Sequence, residues 1–245
     1  MGHKFEQAHD ADVDATVDEV WQAIATGPGI DAWFMGRTEV ENGVVRTNFG
    51  DWAPESPITI EEPGKRFGYR MPDGPDGRFI AYDYLIEGRA GGGTSLRVVA
   101  SGFLPGDDWA EEFEAMSKGG AMYFRSLVEY VNHFAGRTAT PLTAFGPPVE
   151  DWSRAWEKLG AALGLDRSVR EGDKVRVSVP GGETVDGVAF HVNEQTVAVR
   201  TADAFYRFVQ GFHGPMLAMH QLFAPDADAT AAGRDWQEWL GRVFG

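Results

Sequence analysis

The chain has 245 residues, 43% hydrophobic and 24% charged, with 16 Phe, 8 Trp and 6 Tyr but no Cys. That is core material for one large or two small domains. It excludes disulfides, thiolate metal sites and cysteine nucleophiles, and it fits a reducing cytoplasm. The net charge of −15 repels phosphate backbones and anionic lipid head groups, so neither nucleic acid nor a membrane surface is an expected partner. No apolar run reaches the ~20 residues of a membrane span, and Met1 to Asp14 carries charges throughout instead of a leader's apolar stretch.

The first element is a strand over Lys4 to Ala15, in which Phe5, Gln7, His9, Ala11 and Val13 form one face. Thr16 with Glu19 three residues on is a capping-box pattern, and Val17, Val20, Trp21 and Ile24 follow at helical spacing. Gly27-Pro28-Gly29 is expected to end that helix, with Ile30 to Phe34 a second, short one. Strand pairs come next. Glu39-Val40 and Val44 to Phe49 flank Asn42-Gly43, a hairpin signal. Ile58 to Glu61 and Arg66 to Met71 flank Glu62-Pro63-Gly64-Lys65, and Arg78 to Glu87 and Thr94 to Phe103 flank a glycine-rich turn. Asp108 to Phe134 reads as one long helix with Trp109, Phe113, Met116, Gly120, Phe124, Leu127 and Val131 on one stripe. A twisted antiparallel sheet crossed by one long apolar helix encloses a space between them.

Residues 137–148, with three prolines, read as a linker. Residues 1–136 hold 11 basic and 23 acidic side chains; residues 137–245 hold 11 and 14. The second segment, 149–245, repeats the plan more thinly. A helix over Val149 to Leu165 precedes strands at Lys174 to Val179, Val185 to Val192, Thr196 to Thr201, Ala204 to Val209 and Met216 to Phe223. A helix from about Ala229 to Val243 closes it. A shift of 130 positions lays Ile58 to Arg70 on Val188 to Arg200, so this segment is read as a degenerate second copy that lacks the first strand.

Ala15-Thr16-Val17-Asp18-Glu19-Val20-Trp21-Gln22-Ala23-Ile24 resembles the opening motif A-T-x-E-x-V-W-x-A-I of the START-like SRPBCC superfamily. The closest likeness is to its bacterial branch related to the activator of heat-shock-protein-90 ATPase. Thr26 to Phe34, Glu62-Pro63-Gly64-Lys65-Arg66-Phe67, Ser101-Gly102-Phe103 and Trp109 resemble that family's next helix, mid-sheet turn and entry to the long helix. The resemblance covers residues 5–136. It implies an α+β helix-grip fold, a curved antiparallel sheet wrapped on a long C-terminal helix, around an apolar cavity. Such proteins bind hydrophobic small molecules, and some cyclise or dehydrate polyketides. Eukaryotic relatives stimulate a chaperone ATPase with an extra N-terminal domain that has no match here.

Several local patterns carry no chemistry. Asp10, Asp12 and Asp14 begin like a calcium loop, but Ala15 and Trp21 stand where that loop needs Gly and Glu. Gly27 to Ala32 fits G-x-G-x-x-A but follows a helix, not a strand. The histidines show no metal-ligand spacing; His213 and His220 could meet across a hairpin. No metal or cofactor is expected. The aromatic set is the stronger signal. Trp33 and Phe34 are expected at the cavity mouth, with Phe67, Tyr69, Met71, Tyr82, Tyr84, Met116 and Phe124 lining it. Arg97 and Asp83 read as a surface cross-strand ion pair or, alternatively, a cavity acid–base pair. The leading reading is a non-catalytic binding module for a small aromatic or lipid-like molecule, its second domain packing on the first or mediating a homodimer. A cyclase- or dehydratase-like enzyme and a chaperone-associated interaction protein are the alternatives.

Overall fold

The computed structural model describes residues 2–50, 53–107, 109–166, 168–211 and 214–245. The chain divides into two units, Met1–Thr138 and Ala139–Gly245.

The first unit begins with β1 (His3–Val13), α1 (Val17–Ala25) and α2 (Gly27–Asp31). It continues through β2 (Arg37–Glu41), β3 (Val44–Asn48), β4 (Glu55–Glu62), β5 (Arg66–Arg70), β6 (Phe79–Gly88) and β7 (Thr94–Leu104) to α3 (Trp109–His133). The strands form one antiparallel sheet in the order β1-β7-β6-β5-β4-β3-β2. The first strand therefore pairs with the last, from His3 opposite Leu104 to Val13 opposite Thr94. Helix α3 follows β1 along its length. His3 stacks on Trp109 at 4.0 Å, Phe5 meets Phe113 at 5.7 Å, His9 stacks on Phe124 at 5.2 Å, and the Asp14 N–H donates to Asn132. Helix and strand match in length at about 35 Å, given rises of ~1.5 and ~3.3 Å per residue. This is the helix-grip plan.

Local chemistry sets the elements. Thr16 and Glu19 form the reciprocal capping box of α1. Asn42 and Gly43 both take positive φ (54° and 75°), the geometry a two-residue hairpin demands. One boundary differs from the sequence reading: Gly27-Pro28-Gly29 does not end a helix but forms the first turn of α2. Thr26 caps it by accepting from the Gly29 N–H, and Pro28 sits where its missing N–H costs nothing. Trp33 and Phe34 consequently lie beyond the helix.

The second unit comprises β8 (Thr140–Pro148), α4 (Trp152–Leu163), β9 (Lys174–Ser178), β10 (Thr184–Asn193), β11 (Thr196–Arg200), β12 (Ala204–Gln210), β13 (Pro215–Leu222) and α5 (Ala229–Phe244). Its sheet runs β8-β13-β12-β11-β10-β9. Two expectations are corrected here. Most of the stretch read as a linker is strand β8, whose prolines are tolerated because β8 is an edge. The first strand is therefore present, pairing with the last as β1 does with β7. Matched from that end of each sheet, the strand without a counterpart is β2. The 130-residue shift lays β4–β5 on β10–β11. Each of these pairs carries a register irregularity, between Ile58 and Ile60 and between Ala189 and His191. Among the described residues no helix is long and apolar enough to cross a membrane.

Two buried titratable groups have opposite effects. The Asp31 carboxylate accepts from the Thr38 N–H at 2.6 Å; burial raises its pKa to about 6, against the opposing pull of that bond and of Arg37. His220 is fully buried, and burial with Arg207 lowers its pKa to about 3. For Asp31 the folded value exceeds the unfolded one, so its contribution is complete below pH ~4 and lost as pH rises through ~6. For His220 the contribution is present above pH ~6.5 and lost as pH falls toward ~3. We expect Asp31→Asn, which keeps the acceptor, to raise stability near pH 7.5 by up to about 3 kcal/mol and to leave it little changed near pH 4. Urea titrations at the two pH values check this; equal effects at both would overturn the assignment.

Candidate functional site

Strand register builds the concave face of the first sheet row by row. One row runs Phe67–Tyr84–Val98–His9 and the next Tyr69–Tyr82–Ala100–Gln7, across β5, β6, β7 and β1. A third brings Ile80, Gly102 and Phe5 together, with the Met71 N–H bonded to the Ile80 carbonyl. Burial changes along these rows. Phe67, Tyr84, Ile86, Leu96 and Val98 are buried, whereas Gln7, Tyr82, Ala100, Ile80 and Met71 are only half-buried although they share the inward face. Helix α3 shows the same gradient. Met122, Phe124, Ser126, Leu127, Val128, Tyr130 and Val131 are buried, but none of Trp109 to Ala121 is.

Tyr82 shows what this means. Burial raises its pKa to about 12, so its hydroxyl lies deep in the protein. Yet the residue retains accessible surface, and its hydroxyl has no hydrogen-bond partner and is not sealed off. Gly120 faces the same region: a Cβ built there would meet only Gln7 Oε1, at 3.9 Å.

The sequence-predicted residues fall into three groups. Trp33, Phe34, Phe67, Tyr69, Tyr82 and Tyr84 form one aromatic cluster, with ring centroids 5.3–6.5 Å apart along its contacts. Tyr69 and Tyr84 bring their hydroxyls to 3.5 Å, and burial holds both pKa values far above the phenol range. Met116 and Phe124 come from α3; Met71 lies just past β5. The expected mouth is corrected: Trp33 and Phe34 are 3% and 5% exposed, and Trp33 donates its indole N–H to the Ala23 carbonyl at 2.9 Å. They wall the interior because the bond and the packing of Phe34 on Tyr123 at 4.6 Å draw them inward. Arg97 and Asp83 do not pair with each other. Both point outward; Arg97 bonds Asp10 at 2.9 Å, and Asp83 bonds Arg66 at 2.9 Å.

Gln7 and His9 join this face as well, as the alternation of β1 implies. His9 faces inward with no hydrogen-bonding partner, and burial lowers its pKa against the opposing charge of Asp10. It is therefore neutral near pH 7. His213 lies outside the described residues, and with it the pairing with His220. Among the described residues no three His, Asp or Glu side chains converge in a metal-holding group.

In the second unit the helices pack on the sheet through large side chains, and a cleft of about 510 Å³ remains beside α4, lined by Trp156, Leu159, Leu165, Val192 and Val197. Trp236, Trp239 and Leu240 of α5 pack with Leu159 and Leu163 of α4 on Val177, Val199, Phe208, Met216 and Ala218, all buried. Trp236 meets the His220 ring at 4.4 Å and Phe208 at 5.5 Å.

No family model matches the chain, and no curated protein matches it. Solved structures do resemble it. One is a Mesorhizobium loti protein, 18% identical over 53% of this chain and 98% of that one, with TM-score 0.45. The Aha1 dimer of Colwellia psychrerythraea is 18% identical over 52% and 96%, with TM-score 0.43. The di-domain ARO/CYC protein BexL is 13% identical over 96% and 92%, with TM-score 0.47. At such identities and scores nothing about this chain's chemistry rests on them; its own strand order carries the fold.

The contrast between buried and half-buried positions is measurable. Leu240→Ala, which empties a packed site, should cost about 2–5 kcal/mol. Met116→Ala, at a half-buried position, should cost less than about 1.5 kcal/mol, since less apolar surface is buried there. Chemical denaturation of both variants checks the difference, and similar costs would show that the first interior is packed like the second.

Proposed function

We propose that the chain binds a small hydrophobic molecule, aromatic or lipid-like, between α3 and the concave face of the first sheet. The supporting observation is Tyr82: a hydroxyl that makes no hydrogen bond within the protein, on the inward face among Tyr69, Tyr84 and Phe34. A ligand oxygen could take the bond that this hydroxyl does not make within the chain.

One observation favours a second reading, a cyclase- or dehydratase-like enzyme. His9 is a neutral imidazole on the inward face, the type of group that general acid–base chemistry uses. Arg97 and Asp83, the other candidates, face outward and drop out. A catalytic His9 predicts turnover lost in His9→Gln with ligand binding kept.

Native mass spectrometry of gently purified protein, followed by organic extraction, tests the binding reading. A stoichiometric small molecule supports it; a clean apo mass with no thermal shift across aromatic and lipid compounds counts against it. Gly120→Leu supplies the structural control. Leu is worth about 1 kcal/mol over Gly in a helix interior, and its side chain enters the space beside Gln7. We expect an unchanged or higher melting temperature together with at least about tenfold weaker ligand binding. Undiminished binding by a folded variant would place the ligand elsewhere.

A further inference from the structure

We infer, building on the binding reading, that the ligand is uncharged and carries a hydrogen-bonding oxygen on an otherwise apolar body, held between the Gln7–Tyr82 row and the bare Gly119–Gly120 step of α3. Three features of the interior carry this.

First, the inward positions of β1, β5, β6 and β7 include no Asp, Glu, Lys or Arg. They read Phe5, Gln7, His9, Ala11, Val13 on β1; Phe67, Tyr69 on β5; Ile80, Tyr82, Tyr84, Ile86 on β6; and Thr94, Leu96, Val98, Ala100, Gly102, Leu104 on β7. The nearby buried carboxylate, Asp31, is engaged with the Thr38 N–H. Charges at this level of the sheet, Arg97 with Asp10 and Arg66 with Asp83, pair on the opposite face. An ionic ligand head would enter without a counter-charge from these strands, at a cost of several kcal/mol.

Second, the face is not purely apolar. Gln7, His9 and Tyr82 each present a neutral polar group that makes no hydrogen bond within the protein. Gln7 and Tyr82 stand in one row, two strands or about 10 Å apart. That spacing suits polar groups on one edge of a small fused-ring or sterol-sized body.

Third, α3 carries two adjacent glycines over this row, each costing about 1 kcal/mol of helix propensity. Tight packing does not require them. Nothing lies within 4 Å of a Cβ at Gly119, and at Gly120 only Gln7 Oε1 does. Their effect is to leave room directly above the Gln7 carboxamide.

A matched series of naphthalene, naphthol and naphthoate tests this by calorimetry or tryptophan quenching at pH 7.5 on the full chain. The expected order is naphthol tightest, with naphthalene and naphthoate each at least about tenfold weaker. Tyr82→Phe and Gln7→Leu should bring naphthol within about threefold of naphthalene while naphthalene itself still binds; thermal melts confirm that the variants fold. The inference is overturned if naphthoate binds as tightly as naphthol. It is overturned equally if naphthol's preference survives in both variants. Binding of naphthalene without any gain from the hydroxyl sinks this inference alone; no binding by any of the three sinks the underlying reading as well.

Discussion

The pairing of the first strand with the last governs the first unit. Eleven residues of β1 lie against β7. This brings the chain back beside its own beginning just before α3 starts, so α3 runs along β1 in one direction and over a matched length. Everything placed inside follows from it. The alternation of β1 turns Gln7 and His9 under the helix, and its register aligns them with the tyrosines of β5 and β6. The second unit obeys the same constraint through β8 and β13. A strand that sits at the sheet edge can be rich in proline, because one side of its backbone needs no ladder partner.

One plan yields two interiors because different side chains meet the sheet. In the second unit α5 contributes Trp236, Trp239 and Leu240, and α4 adds Leu159 and Leu163 from the same side. Indole rings pack on the curve of the sheet there. In the first unit the helix meets the half-buried rows with Met116 and two glycines. The buried residues of α3 begin only at Met122.

Much of this was legible in the sequence. Period-two alternation, the Asn42-Gly43 turn and the Thr16–Glu19 box fixed their elements within a residue or two, since each rests on local chemistry. The long helix and its stripe were readable for the same reason. What failed was non-local. Pro141, Pro147 and Pro148 look like a linker until β13 supplies a partner. Trp33 and Phe34 look like mouth residues until the Ala23 carbonyl captures the indole. Arg97 and Asp83 lie on adjacent strands, but Asp10 and Arg66 are better placed across the register. Gln7 and His9 are polar exceptions on the apolar face of β1, and the register that sets them beside Tyr82 and Tyr84 is non-local.

Those exceptions bear most directly on function. A carboxamide, an imidazole and a phenol stand on this otherwise apolar face without a hydrogen bond within the protein. Two glycines in the helix oppose folding. On the equivalent face of the second unit stand tryptophans. A molecule that occupies the first interior and satisfies Tyr82 and Gln7 binds only the folded state. It therefore returns stability in proportion to RT ln(1 + [L]/Kd), about 2.7 kcal/mol at a hundred times Kd. On this view the loose half of the first unit is an incomplete core, and the ligand is the part of it that the chain does not encode.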